Sequence, residues 1–232
     1  MKTRDIDIVW EGEPQCKHCG IRHLVLFADL DHDDFSLIHR PIEVVDFKTG
    51  DYIYRSGDES RYVYTVRRGL VKLVQYVEDG GQRIVRLLKQ GDVAGIEALL
   101  GKPCQHDAVL LDNTQVCRIP VEVINALNNN TPRLHRRLME AWNRALSDAD
   151  RWLTELSTGT AKERVIRLFV TLDELCNEEY FYMPSREDIG SMLGITTETA
   201  SRIVAELKRA ELIRMIDHKH AVADIVQLKQ LL

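Results

Sequence analysis

The chain has 232 residues, with 31 Lys plus Arg against 36 Asp plus Glu and a formal charge of −5. With 44% hydrophobic and 29% charged residues, long disorder, collagen and coiled-coil rods are excluded, and the longest apolar stretches, such as Leu24 to Phe27, are far too short to cross a bilayer. The acidic balance argues against bulk polyanion binding and permits a local nucleic-acid site.

The N-terminus opens Met1-Lys2-Thr3-Arg4-Asp5-Ile6-Asp7 without an apolar core, so no secretory signal is expected and the chain reads as cytoplasmic. Five cysteines is an odd number for such a chain. Structural disulfides are not expected. The Cys16-x-x-Cys19 pair, in an arm over residues 1–30, points instead to metal or redox chemistry.

Residues 31–130 carry turn signals at regular intervals. Gly50, Gly57, Gly69, Gly80 and Gly91 stand 7, 12, 11 and 11 residues apart. Between them lie short apolar runs, Ile42 to Phe47, Tyr62 to Val66, Leu70 to Val77 and Ile84 to Leu88. This spacing predicts an antiparallel sandwich or barrel. Glu78-Asp79-Gly80-Gly81 is the clearest hairpin turn, because Asp-Gly tolerates positive φ.

From Pro132 to Leu156 the period becomes helical, and the region 131–158 is expected to be one long helix. Leu134, Leu138, Ala141, Ala145, Ala149, Trp152 and Leu156 recur at steps of three or four. A single apolar stripe of this length predicts a dimer seam; the alternative is a helix lying on the chain's own barrel. Residues 159–232 then hold a helical segment from Ala161 to Leu175, a polar linker Asn177-Glu178-Glu179, and two further helices.

Those two helices are the most informative stretch. Ser185-Arg186-Glu187-Asp188 fits a capping box. Ile189, Met192 and Leu193 form one apolar face, Gly194 ends the helix, and Thr196 or Thr197 caps the next. With Glu198 set to 0° and roughly 100° per residue, Ala200, Ile203, Val204 and Leu207 cluster opposite a face that carries Glu198, Ser201 and Arg202. Arg can take both acceptors of guanine, Glu can accept from the cytosine amine, and Ser can do either. Amphipathicity alone equally describes a solvated helix face. Charge does not separate the two readings, since Arg186 to Arg214 holds five basic and five acidic residues.

The segment Asp188-Ile189-Gly190-Ser191-Met192-Leu193-Gly194-Ile195-Thr196-Thr197-Glu198-Thr199-Ala200-Ser201-Arg202 resembles the recognition motif Glu-x-x-Ser-Arg of the CRP/FNR superfamily of bacterial transcription regulators, FNR branch. The resemblance covers nearly the whole chain. It implies an α+β fold: an N-terminal antiparallel β-roll (a cyclic-nucleotide-binding-like jelly roll), a long dimerisation helix and a C-terminal winged helix-turn-helix. It also implies a homodimer on double-stranded DNA, with RNA polymerase as a further partner. Glu198, Ser201 and Arg202 would read TTGAT-like half-sites, and Arg186, Thr197 and Thr199 would meet phosphates. One departure is the wing, where Asp217-His218-Lys219-His220 lacks the usual turn glycine.

For the sensor, the resemblance offers two precedents. Cyclic-AMP-binding members hold the nucleotide with Gly-Glu-Leu and Arg-Ser segments. Aligned at Gly95, these positions are Ile96 and His106-Asp107, so cyclic AMP is disfavoured. FNR itself holds an iron–sulfur cluster on four cysteines. Cys16, Cys19 and Cys117 stand at three of these positions, but the third N-terminal one is Val25, leaving His18, His23 and Cys104 as substitute donors. Three readings stay open: a cluster with an unusual ligand; a thiol switch, haem or zinc site; and cysteines without a sensing role. Cys176 reads as a small buried hydrophobe, and His32, His39, His135, His218 and His220 as solvated. An enzyme is disfavoured, because the chain has no Gly-rich phosphate loop, G-x-S-x-G or H-E-x-x-H. A stand-alone redox or metal-binding module on Cys16 and Cys19 is the remaining alternative, and it would leave the helix-turn-helix without a use.

Overall fold

The computed structural model describes residues 26–31, 33–34, 38, 40–78, 80–176 and 179–232. Cys16, His18, Cys19, His23, Val25, His32 and His39 lie outside the described residues, as does most of the 1–30 arm.

Two antiparallel sheets form the β-roll. Its strands are β1 (Glu43–Phe47), β2 (Tyr52–Tyr54), β3 (Tyr62–Arg68), β4 (Val71–Tyr76), β5 (Gln82–Leu88), β6 (Val93–Ala94), β7 (Asp107–Leu110) and β8 (Thr114–Pro120). One sheet runs β1-β8-β3-β6 and the other β2-β7-β4-β5. The four apolar runs read from the sequence became β1, β3, β4 and β5. The strands β2, β6, β7 and β8 escaped because the first three are brief and β8 is interrupted by polar residues. The β4–β5 hairpin closes at Gly80, whose φ of +81° is the left-handed geometry expected of that turn.

Both faces of each sheet are covered, which explains the apolar runs. Val66, Val116, Val71, Leu73, Leu88 and Leu110 meet between the sheets. Val63, Val93 and Ile119 face the other way, onto Leu26, Phe27 and the helices that follow. Those helices are α1 (Val121–Asn130) and α2 (Pro132–Arg151). Pro132 opens α2, where its missing N–H is not needed.

The long helix departs from expectation in two ways. Its α-helical part ends at Arg151 and continues as a π-helical turn, Trp152–Leu156. The predicted dimer seam also faces inward. Leu134 and Ala141 are buried against the β-roll cluster, with Leu138 partly buried beside them. Leu156 is buried and Trp152 half-buried against the C-terminal core. Ala145 and Ala149 are half-buried. The apolar side chains left uncovered are Met139 (49% exposed), Trp142 (38%), Leu146 (63%) and Leu153 (65%). They form a second stripe about 90° around the same helix.

The C-terminal domain comprises α3 (Ala161–Leu175), β9 (Phe181–Tyr182), α4 (Arg186–Leu193), α5 (Thr197–Arg209), β10 (Ile213–Met215), β11 (His220–Ala223) and α6 (Ile225–Gln230). A complete capping box, Thr160 with Glu163, starts α3. Arg167 Nη1 donates to the carbonyls of Glu155 (3.1 Å) and Thr158 (2.8 Å), tying α3 back to the end of the long helix. The wing is the sheet β10-β11-β9.

This domain docks on the outer face of the second sheet. Leu70, Val74, Ile84 and Leu87 of the roll share one apolar cluster with Ile189, Met192 and Leu193 of α4 and with Phe169 of α3. Half-buried Cys176 packs at its edge. Among the described residues, no helix is long and apolar enough to cross a membrane.

Candidate nucleic-acid interface

Two backbone features set α5 against α4. Gly194, at φ +64°, ends α4 and donates its N–H to Gly190 O at 2.8 Å. A Cβ at Gly190 would stand 2.7 Å from Ile195 O, so the turn packs this tightly only over glycine. Sequence reasoning passed over Gly190, although an isolated glycine within a helical pattern is itself a packing signal. Thr196 is the N-cap of α5, its hydroxyl accepting from Thr199 N at 3.2 Å.

On α5, Ala200, Ile203, Val204 and Leu207 are buried, while Thr197, Glu198, Ser201 and Arg202 are exposed. The Glu198 carboxyl is held below its ordinary range by hydrogen bonds from its own backbone amide and the Thr196 hydroxyl. It therefore stays an acceptor at neutral pH, at the helix end where the macrodipole favours negative charge.

The residues expected to meet phosphates divide. Thr197 is exposed, whereas half-buried Thr199 has its hydroxyl 3.1 Å from that of Thr196. Arg186 does not project outward. It is half-buried, with Nη1 at 3.4 Å from Pro184 O and 3.7 Å from Met183 Sδ. Burial lowers the pKa of its guanidinium.

The predicted capping box of α4 is half formed. The Ser185 hydroxyl accepts from Asp188 N at 3.0 Å. The Asp188 carboxylate turns away to Lys72 Nζ on β4, at 2.5 Å, with the two side chains only 10% and 15% exposed. A long-range cation competed successfully for the carboxylate that a local motif would have used. Beside this pair, Gln82 Nε2 donates to Glu187 at 3.5 Å. The β4–β5 hairpin thus grips α4 through a nearly dry ion pair.

The wing closes without its glycine. Asp217 Oδ1 accepts from Lys219 N (2.6 Å) and His220 N (2.8 Å), doing with a side chain what the missing residue would do with φ. His218 is exposed as expected, as is His135. His220 is a correction: it is half-buried, not solvated. Its Nδ1 lies 2.9 Å from Asp217, its Nε2 lies 3.4 Å from Asp112 of the β-roll, and its ring meets Tyr180 edge-on.

Inside the roll, the region around Gly95 is filled by tyrosine. Tyr54 Oη accepts from Gly95 N at 3.1 Å, and a Cβ at Gly95 would lie 3.5 Å from Tyr54 and 3.6 Å from Tyr64. Asp107 is buried and accepts from Ser56 N at 2.7 Å. Burial pushes the His106 imidazole down, towards its neutral form.

The thiols separate by face. Cys104 is buried between the sheets with Tyr54 and Tyr64, and burial pushes it up to about 11. Cys117 is half-buried on the other face of its sheet, in the cluster that holds Leu26 and Phe27. Cys104 is therefore withdrawn as a donor beside Cys117. Among the described residues, no group of three or more His, Cys, Asp or Glu side chains is assembled to hold a metal.

A ligand-domain β-roll coupled through a long helix to a winged helix-turn-helix defines a DNA-binding transcription regulator. Residues 44–130 match the cyclic nucleotide-binding domain family, and residues 163–231 the Crp-like helix-turn-helix domain. Over 229 residues the chain is 28% identical to the transcriptional activator protein Anr of Pseudomonas protegens, covering 94% of this chain and 92% of that one. Over 205 residues it is 26% identical to the fumarate and nitrate reduction regulatory protein of Vibrio cholerae, covering 85% and 82%. Its fold is similar to that of FixK2 from Bradyrhizobium japonicum, with TM-score 0.73 and 25% identity over 83% of this chain and 98% of that one. The chain belongs to the CRP/FNR family of transcription regulators.

Proposed function

We propose that the chain is a homodimeric, sequence-specific regulator that reads TTGAT-like palindromic half-sites and couples them to a redox or oxygen signal. The observation that carries this reading is the face of α5: Glu198, Ser201 and Arg202 are exposed together while the opposite stripe is sealed in the core. Arg202 takes guanine, Glu198 accepts from a cytosine amine, and Ser201 supports either contact. Thr197 meets phosphate directly. Arg186 does so after swinging out from Pro184, and Thr199 acts chiefly by holding the cap. A basic residue at α5 matters more than net charge, because the chain as a whole is acidic.

The dimer forms through Met139, Trp142, Leu146 and Leu153. Their steps of three, four and seven residues suit a paired-helix seam, and their exposure leaves apolar area that a second copy would cover. The inward stripe, Leu134 to Leu156, instead transmits changes in the roll to the helix. Productive binding sets two recognition helices about 34 Å apart.

For the signal, Cys16, Cys19 and Cys117 with His18 or His23 form a donor set that suits an iron–sulfur cluster with one imidazole ligand, or a zinc or thiol site. When bound, a cluster supplies oxygen or redox sensitivity. Leu26 stands seven residues after Cys19 in the sequence and packs in the same apolar cluster as Cys117. Cyclic AMP is disfavoured by Asp107, by neutral His106 and by the tyrosines at Gly95. The protein acts where DNA and RNA polymerase are, in the cytoplasm.

The test is a mobility shift, with and without air, on a TTGAT palindrome and on a scrambled duplex of equal length. Preferential binding to the palindrome is expected. Equal affinity for both duplexes would overturn the reading.

A further inference from the structure

A cleft of about 300 Å³ lies where the wing meets the β-roll, large enough for a small organic molecule. Neither Gly95 nor Cys117 lines it. The roll supplies Arg68 from the β3–β4 turn and Lys89 from the β5–β6 turn. These turns are tied together, with Gln90 Nε2 donating to Arg67 O at 2.8 Å and Gly91 N to Val66 O at 2.9 Å. Tyr180, Tyr182 and His220 form the opposite wall, and Leu70 and Leu175 add apolar surface. The His220 ring meets both tyrosines edge-on, with centroids 5.1 and 6.4 Å away. The charge of this lining is opposite to that of the chain. Among the described lining residues Asp112 is the one acid, and it is already engaged, 3.6 Å from Lys219 Nζ and 3.4 Å from His220 Nε2. Arg68 reaches Asp46 at 3.4 Å, but the side chains are 68% and 65% exposed, so water screens that pair. No hydrogen bond or ion pair engages the Lys89 ammonium or the Tyr182 hydroxyl among the described residues. Burial, with Asp188 and Asp112 nearby, pushes the Tyr182 phenol up to about 12, so it stays protonated and able to donate.

We propose that this cleft binds a small aromatic carboxylate. Arg68 and Lys89 take the carboxylate by charge-assisted hydrogen bonds, and the planar body packs against Tyr180, Tyr182 and Leu175. Two cations from one domain and an aromatic wall from the other select for both halves of such a molecule. Because the walls belong to different domains, the ligand binds while the wing is docked on the roll, and by mass action it favours that arrangement. The site is a second input to the chain, separate from the cysteines.

The test titrates the full-length chain with benzoate and with 2-naphthoate to millimolar concentration, following backbone amide resonances. At least one of them should give saturable shifts at Arg68, Lys89 and Tyr182 together, on both walls. The neutral 2-naphthamide and inorganic phosphate should each bind at least tenfold more weakly, since each lacks one half of the recognised molecule. Lys89→Met, which keeps the stem and removes the charge, should weaken the bound carboxylate about tenfold. Tyr180→Ala, which removes an aromatic ring from the opposite wall, should weaken it about threefold. Thermal midpoints recorded without ligand show whether each variant is folded, and the two substitutions lie in different domains, so either one alone tests the cleft. No saturable binding of either carboxylate would overturn the proposal. So would shifts centred on Gly95 inside the roll, equal affinity for the amide or for phosphate, or unchanged affinity in either folded variant.

Discussion

Replacing Lys72 with methionine keeps most of the side chain's apolar stem and removes the ammonium that meets Asp188 at 2.5 Å. Asp188 is then an almost buried carboxylate with its cation gone. Breaking a buried pair from one side costs about 3–5 kcal/mol when both partners are dry. With the side chains 15% and 10% exposed, some water reaches the pair. A loss of about 3 kcal/mol is the working figure, equivalent to roughly 6–12 °C in midpoint for a chain of this size. Removing both partners, as Lys72→Met with Asp188→Leu, should recover most of the loss, because an apolar pair avoids desolvation altogether. The assay is a double-mutant cycle by urea unfolding, with hydrogen exchange on α4 and on the β4–β5 hairpin to show that the loss lies at their contact. If each single variant lost under about 1 kcal/mol and the double variant lost their sum, the pair would be a surface contact of ordinary weight, and the grip on α4 would have to come from the apolar cluster alone.

Leu146→Glu, on the exposed stripe, should shift the protein from dimer to monomer in analytical ultracentrifugation while leaving the thermal midpoint of the monomer nearly unchanged. Leu134→Ala, on the inward stripe, should instead destabilise the fold by about 2–5 kcal/mol in chemical unfolding. Gly190→Ala should weaken binding to TTGAT duplexes in a mobility shift, because a Cβ 2.7 Å from Ile195 O forces the two helices apart. The Asp217 carboxyl is depressed by its hydrogen bonds with the His220 side chain and with the backbone amides of Lys219 and His220. Its contribution is therefore complete above the ordinary carboxylate range and is lost only as pH falls through the depressed folded value. The Lys219 and His220 amide resonances should consequently show no transition centred in the ordinary Asp range as pH falls, and a transition there would contradict this.

What could be read from the residues depended on whether the signal was local. Turn glycines and the face of α5 are local, because a periodic stripe follows from backbone geometry alone. The long helix shows the limit of that reasoning. It carries two apolar stripes about 90° apart, and periodicity registers both without saying which meets the chain's own roll. Leu134 to Leu156 is the more regular stripe, which favours it as a dimer seam on sequence alone; in the structure it is the inward one. The same limit governs Asp188 and His220. Each has a plausible local role, in cap or in wing. The outcome for Asp188 and His220 was decided by Lys72 and Asp112, 116 and 108 residues away in the chain.

The most direct measurement of the central claim pairs one side chain with one base. Binding of the wild-type chain and of Arg202→Ala is compared on a TTGAT palindrome and on the same duplex with the guanine replaced by adenine. The wild type should lose about 1–3 kcal/mol on the altered duplex, and Arg202→Ala should bind both duplexes alike. A variant that still discriminated between them as well as the wild type does would mean that Arg202 does not read the guanine.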